Sequence, residues 1–209
     1  MKTSENTNMN YQILCEKQIE QAASLPRKPS LLLHACCAPC SSYVLEYLNN
    51  HFDITLFFYN PNISPKEEYL HRSEELKRLV KEMPLQNSVD VIVCDYSPED
   101  FFAVSKGREN DAEGGSRCFD CYKARLLKTL QYAVDNEYDY YSTTLSISPH
   151  KNAAVINDIG SSISKNTGVK WLYSDFKKKN GYIRSIQLSK QYNLYRQNYC
   201  GCIFSKNNS

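Results

Sequence analysis

Residues 30–45 read Ser30-Leu31-Leu32-Leu33-His34-Ala35-Cys36-Cys37-Ala38-Pro39-Cys40-Ser41-Ser42-Tyr43-Val44-Leu45. A short apolar run bounded by turn chemistry is the pattern of a strand buried on both faces. The chain then turns at the cysteines and Pro39 and enters a helix whose first turn holds Tyr43, Val44 and Leu45. Residues 53–59, 89–94 and 138–143 read as three further strands, and helical periodicity fills the gaps. Ser64, Pro65 and Glu67 read as N-cap, first-turn proline and capping-box acid of a helix that puts Tyr69, Leu76, Val80 and Met83 on one face. Ser97-Pro98-Glu99-Asp100 and Ser148-Pro149 are expected to open two more, the second running through Val155, Ile156, Ile159 and Ile163. Such alternation predicts an α/β fold: a mostly parallel sheet with helices on both faces, joined by right-handed crossovers. Ligands in these sheets sit beyond the carboxyl ends of the strands, which points to residues 34–42.

At 209 residues, 42% hydrophobic and 23% charged, the chain has the size and composition of one domain. We expect residues 1–29 to be a polar N-terminal extension and residues 30–205 a single α/β domain ending in a basic, aromatic segment, 168–205. The net charge of +2 conceals segregation. Residues 168–209 carry Lys170, Lys177, Lys178, Lys179, Arg184, Lys190, Arg196 and Lys206 against Asp175 alone, leaving 17 bases against 22 acids elsewhere. Trp171, Tyr173, Phe176, Tyr182, Tyr192, Tyr195, Tyr199 and Phe204 are interleaved with these cations. The mixture suits phosphate contact and base stacking, and equally a solvated basic face over core aromatics. No apolar segment resembles a signal peptide or membrane span, so the expected location is the cytoplasm, a reducing compartment. Nine cysteines there should be metal ligands or redox groups rather than staples.

Those cysteines fall into groups. Cys15 and Cys94 read as small buried hydrophobes. Cys36, Cys37 and Cys40 stand at a helix N-terminus, where thiolates are favoured. Cys118 and Cys121 form a C-x-x-C pair after Gly114-Gly115, at the start of a helix expected to bury Leu126, Leu127, Leu130 and Val134. The glycines can offer backbone N–H groups to sulfur. With Cys36 and Cys37 the pair completes four thiolates. Vicinal cysteines at the ligand edge of a sheet favour an iron–sulfur cluster over zinc, whose structural sites usually pair two C-x-x-C knuckles. Cys200-Gly201-Cys202 would close a small, strained and therefore labile disulfide, so we read it as a redox pair; further ligands for the same centre are the alternative.

The blocks His34 to Cys40, Tyr59-Asn60-Pro61-Asn62-Ile63, Arg117-Cys118-Phe119-Asp120-Cys121, Thr143 to Pro149 and Tyr195 to Cys202 together resemble the cobalamin-independent epoxyqueuosine reductases of the QueH type, from about residue 30 to Ser205. The resemblance implies a fold similar to the adenine-nucleotide alpha hydrolases (HUP-like) and two-electron reduction of epoxyqueuosine to queuosine at the wobble position of tRNA. It further implies a 4Fe-4S cluster on Cys36, Cys37, Cys118 and Cys121, and a redox-active disulfide at Cys200 and Cys202. An adjacent mononuclear iron is associated with it, for which Cys40 and Asp175 are the candidate ligands. Asn60, Asn62 and Arg196 are candidate substrate contacts, and the electron donor is expected to be a ferredoxin, a flavodoxin or a thiol system. ATP-using relatives of this fold hold pyrophosphate on a serine- and glycine-rich loop after the first strand. Here that loop has no glycine, which argues against ATP use. A zinc-stabilised RNA-binding module, the non-catalytic alternative, would have no need of Cys200 and Cys202.

Overall fold

The computed structural model describes residues 9–206. Five parallel strands, β1 (Ser30–His34), β2 (Asp53–Phe58), β3 (Asp90–Val93), β4 (Tyr140–Thr143) and β5 (Lys170–Trp171), form one sheet in the order β3-β2-β1-β4-β5. Side-chain alternation sends neighbouring strand residues to opposite faces. Leu31, Leu33, Ile54, Leu56, Phe58 and Tyr140 pack in one core layer with α1 (Tyr11–Ala23), α2 (Ala38–Leu48) and α3 (Lys66–Glu82). Leu32, Phe57, Tyr141 and Trp171 pack in the other with α5 (Ser116–Asp135) and α6 (Ala153–Ile163). Helices therefore cover both faces of an all-parallel sheet, as the alternation requires. The elements α4 (Pro98–Ser105), α7 (Gly181–Gln191) and the short α8 (Ile203–Lys206) complete the chain, α4 against α5 and α7 against α2.

Several local expectations are corrected. The third helix begins at Lys66 with Pro65 in the cap position, and the backbone N–H of Ser64 donates to the Gly201 carbonyl (3.0 Å) instead of capping the helix. Ser148-Pro149 opens no helix: residues 144–147 take a tight 3-10 turn, and α6 starts four residues later, where Asn152 Oδ1 accepts from the N–H groups of Ala154 (3.0 Å) and Val155 (3.3 Å). Along α5 the buried face is Cys121, Tyr122, Arg125, Leu126, Thr129, Leu130 and Ala133, whereas Leu127 and Val134 are 43% and 37% exposed. Two long cations, Arg117 and Arg125, are buried on that face, and an apolar count alone could not find it.

Within residues 1–29 the structure places a 13-residue helix, α1, whose Cys15, Ile19 and Ala22 enter the core. Its polar outer face masks those positions in the composition. In the basic segment, Trp171 and Phe176 are core residues, the bland reading of those aromatics. Asp139 closes the amino-terminal edge of the sheet, accepting from Ser30 N (2.8 Å), Ser30 Oγ (3.0 Å) and both terminal nitrogens of Arg27.

Gly160 is the tightest approach between a helix and the sheet: an added Cβ would lie 2.4 Å from the Trp171 indole. Its carbonyl also accepts from the buried Tyr141 hydroxyl (2.5 Å). Gly160→Ala should destabilise the protein by about 2 kcal/mol, a typical cost of overpacking, measurable by chemical denaturation.

Candidate active site

The strand order reverses between β1 and β4, so the loops leaving their carboxyl ends diverge and leave a crevice. One wall is the turn into α2 and the other is the turn after β4. Thr144 ties the two together: its Oγ1 accepts from the Cys36 backbone N–H (3.2 Å) and donates to Cys36 Sγ (3.4 Å). Because Cys37 is the N-cap of α2 and Pro39 lies in its first turn, three cysteines are presented at one helix start.

The sulfurs of Cys36, Cys37 and Cys40 lie within 4.8 Å of one another, and among the described residues they are the group arranged to hold a single metal ion. Cys36 and Cys37 approach to 3.8 Å. The Cys36 thiol is shifted well below the ordinary range, first by hydrogen bonds from Cys37 and Cys40 and then by the charges of Lys151 and Arg125. Cys37 is pushed up to about 12, chiefly through its hydrogen bond to Cys36, and Cys40 is raised in the same way. Hydrogen bonds and nearby cations thus favour the thiolate at Cys36 over those at Cys37 and Cys40, and a metal would displace the remaining protons.

A second group comes from α5 and the C-terminal segment. The Gly114 N–H donates to Cys118 Sγ (3.3 Å), the backbone-to-sulfur contact that the glycines anticipate. Cys121 and Cys202 share a small apolar cluster with Phe101, and burial pushes Cys121 up to about 12. Arg117, 2% exposed, holds this corner by donating to the carbonyls of Arg108 (2.9 Å) and Glu109 (2.8 Å) and covering the Phe204 ring at 4.4 Å. Cys200 and Cys202 are free thiols, with Cys202 Sγ donating to Ser205 Oγ (3.4 Å).

Between the groups opens a cavity of about 740 Å³, lined by Cys36, Cys37, Cys40, Cys200, Arg72, Arg125, Lys151, Arg196 and Tyr199 among others. Arg72 and Arg125 are each 2% exposed, and Arg72 Nη2 and Arg125 Nη1 have no hydrogen-bond partner. Arg72 is ion-paired to Glu68 (2.7 Å), donates to the Cys200 carbonyl (3.2 Å) and lies 5.2 Å from the Tyr199 ring centre. Arg125 has no carboxylate partner: it bonds His34 and Asn60 and lies against the Cys121 sulfur. Lys151 is half-buried; burial opposes its charge, but the Cys200, Cys36 and Cys40 sulfurs outweigh that and hold it protonated. Sequence reading missed these three cations. The signal available was Arg125 one helical turn beyond Cys121.

Of the candidate substrate contacts, Arg196 lines the cavity, where it donates to Tyr182 Oη (3.2 Å). Asn60 does not: it is fully buried, donates to the Ala35 carbonyl (2.9 Å) and accepts from Arg125 Nη2 (2.5 Å), so it braces the cysteine loop from behind. Asn62 is also buried, with Oδ1 unpartnered. Asp175 is not brought to the thiols; its carboxylate is ion-paired to Lys177 at 2.6 Å. Cys118 and Cys121 lie outside the 4.8 Å group. Nor is the basic segment a uniform face: Lys177 pairs with its neighbour Asp175, and Lys179 and Arg184 pair with Glu16 and Glu46, acids distant in the linear sequence.

Clustered thiols and buried cations beyond the carboxyl ends of a doubly wound parallel sheet define an α/β fold of HUP-like type with a thiol-based site. A family model described as epoxyqueuosine reductase QueH matches residues 31–208. Similar relatives, each named epoxyqueuosine reductase QueH, occur in Streptococcus pyogenes (44% identical, 96% of this chain and 81% of the relative) and Staphylococcus epidermidis (42%, 96% and 86%). Another is found in Thermotoga maritima (36%, 84% and 90%). The chain belongs to the QueH family of epoxyqueuosine reductases and is an oxidoreductase of tRNA queuosine biosynthesis. In fold it is similar to the U34-tRNA thiolase NcsA from Methanococcus maripaludis, a structure described with its 4Fe-4S cluster (TM-score 0.54, 11% identity, 91% of this chain and 67% of that one). No helix among the described residues is long and apolar enough to cross a membrane.

The Arg72 contacts make α3 the dock for the segment carrying Cys200. Arg72→Met should cost about 3 kcal/mol by leaving Glu68 without its buried partner, read by chemical denaturation. Amide exchange at residues 195–202 should quicken in the same variant, whereas unchanged exchange there would show that the segment is held by other contacts.

Proposed function

We propose that this chain performs the family reaction with a 4Fe-4S cluster on Cys36, Cys37, Cys118 and Cys121 and with Cys200 and Cys202 as a redox pair. The carrying observation is that Cys36, Cys37, Cys40 and Cys200 line one cavity beside a buried guanidinium, Arg125, that no carboxylate pairs, with Cys121 one turn before it on α5. An unpaired buried cation costs several kcal/mol, and an anionic, sulfur-rich group is the occupant that offsets it. The donor set fits: four thiols on two elements, the turn into α2 and the start of α5, can each reach a different iron, and ligands of separate irons need not share the 4.8 Å spacing that suits one ion. When bound, the cluster supplies electrons singly at low potential.

The chain's own residues account for the rest of the stoichiometry. Converting an epoxide to an alkene takes two electrons and two protons and releases water. Oxidation of the Cys200 and Cys202 dithiol to a disulfide yields two electrons and two protons, and an external low-potential donor restores the thiols. Ferredoxin, flavodoxin and thiol systems all have the required chemistry. Lys151 stands at the cavity wall as a proton carrier, and Arg196 with Tyr182 and Tyr199 offers the mouth a cation and two rings for the tRNA backbone and an unstacked base. The triad of Cys36, Cys37 and Cys40 favours a second reading for its own part, a mononuclear ion beside the cluster with Cys40 as ligand. Action on tRNA supports a cytoplasmic location, with tRNA as the partner.

Anaerobically purified protein should be brown and contain four irons and four acid-labile sulfides per chain as a minimum, a fifth iron marking the mononuclear site. Colourless, zinc-loaded protein from the same preparation overturns the reading. Cys118→Ala should lose the cluster and activity together, and Cys200→Ala should keep the cluster's spectrum yet turn over poorly. Iron loss in Cys200→Ala would instead make that pair ligands. Affinity for tRNA should fall log-linearly with salt, and Arg196→Gln should lower that slope by about one; salt-independent binding would refute the phosphate contacts.

A further inference from the structure

We propose that Arg125 sets the reduction potential of the sulfur centre by directing an uncommitted, charged N–H group at it. This rests on the cluster reading above. Arg125 lies one turn beyond Cys121 on the buried face of α5, and its guanidinium reaches the cavity wall. Its Nε faces His34 Nε2 at 3.3 Å and its Nη2 donates to Asn60 Oδ1, leaving Nη1 without a partner although the side chain is 2% exposed.

Neither anchor is a carboxylate. Asn60 is an amide, pinned through Nδ2 to the Ala35 carbonyl (2.9 Å). The His34 ring is held by Thr143 Oγ1 at Nδ1 (2.8 Å) and by the Tyr59 carbonyl at Nε2 (3.1 Å). The full positive charge is therefore left for the groups around it, and the charges that act on Arg125 are those of the Cys121, Cys200 and Cys36 sulfurs, one from each cysteine group. A structural arginine would spend its N–H groups on carbonyls, as Arg117 does nearby. Arg125 is fixed by two contacts, neither of them a carboxylate, and its charge lies among those sulfurs.

The consequence is electrostatic. Reduction adds one electron to an already anionic centre, with no bond made or broken and no proton moved. A fixed cation and its hydrogen bond stabilise the more negative form and so raise the potential.

The test is a redox titration of the anaerobically prepared holoprotein with dithionite and mediators, followed by electron paramagnetic resonance of the reduced cluster. Arg125→Gln should shift the one-electron equilibrium against reduction by tenfold or more, about 59 mV. Arg125→Lys, which keeps the charge, should recover most of that shift. Asn60→Asp leaves Arg125 in place but sets a carboxylate against it, and should lower the potential in the same direction; it decides the matter if Arg125→Gln does not fold. Unchanged potential in the charge-altered variant, with iron and sulfide content equal to wild type, overturns the inference alone. Wild-type protein without iron and sulfide overturns the cluster reading and this inference together.

Discussion

The pairing of β1 with β4 is the constraint from which the site follows. Four register positions, Leu31 with Tyr140 through His34 with Thr143, bring the two strands side by side and end them at the same level. Beyond that level there is no further ladder, and the chains leave toward opposite faces because α2 and α6 belong to different core layers. Backbone polar groups at such an end need partners, and Thr144 and the α2 N-terminus provide them while aiming cysteines into the gap. The His34 to Thr143 contact at 2.8 Å closes the ladder with side chains and seats the imidazole directly beneath the site.

Charge then shapes what the crevice can hold. Two guanidinium groups at 2% exposure would be prohibitive in an apolar core, and they differ in how they are accommodated. Arg72 has Glu68 at 2.7 Å and serves as a structural bridge from α3 to the C-terminal segment. Arg125 has no acid and faces sulfur. One cation thus holds the segment that carries Cys200, and the other lies among the sulfurs.

The C-terminal segment is held from below by α3. Glu75 accepts from the Tyr195 N–H (2.9 Å), Arg78 donates to the carbonyls of Tyr192 (3.1 Å) and Asn193 (3.2 Å), and Glu68 accepts from the Tyr195 hydroxyl. At Gly201, φ is +112° and an added Cβ would fall 2.9 Å from Arg72 Nη1, so only glycine lets the backbone between the two cysteines pass that close to the arginine. The spacing that puts Cys200 on the cavity and turns Cys202 toward Cys121 depends on that one residue.

The linear sequence contained the sheet, its parallel sense and the edge that carries the chemistry, because buried strands and helix starts are local patterns: the leucines of β1, the alternation of apolar runs and the cysteines after His34 are all short-range signals. It also contained the triad after His34, but not the packing of Cys121 with Cys202. It did not contain the cap of α6, since Ser148-Pro149 and Asn152 compete for the same role and only the 3-10 turn after β4 decides between them. The role of Asn60, the pairing of Lys179 with Glu16 and Arg184 with Glu46, and the isolation of Arg125 were equally hidden. Each depends on residues 65 to 163 positions apart, and the sign and solvation of a charge at a site are set by everything packed around it. Periodicity is a property of neighbours along the chain, and electrostatic environment is a property of neighbours in space.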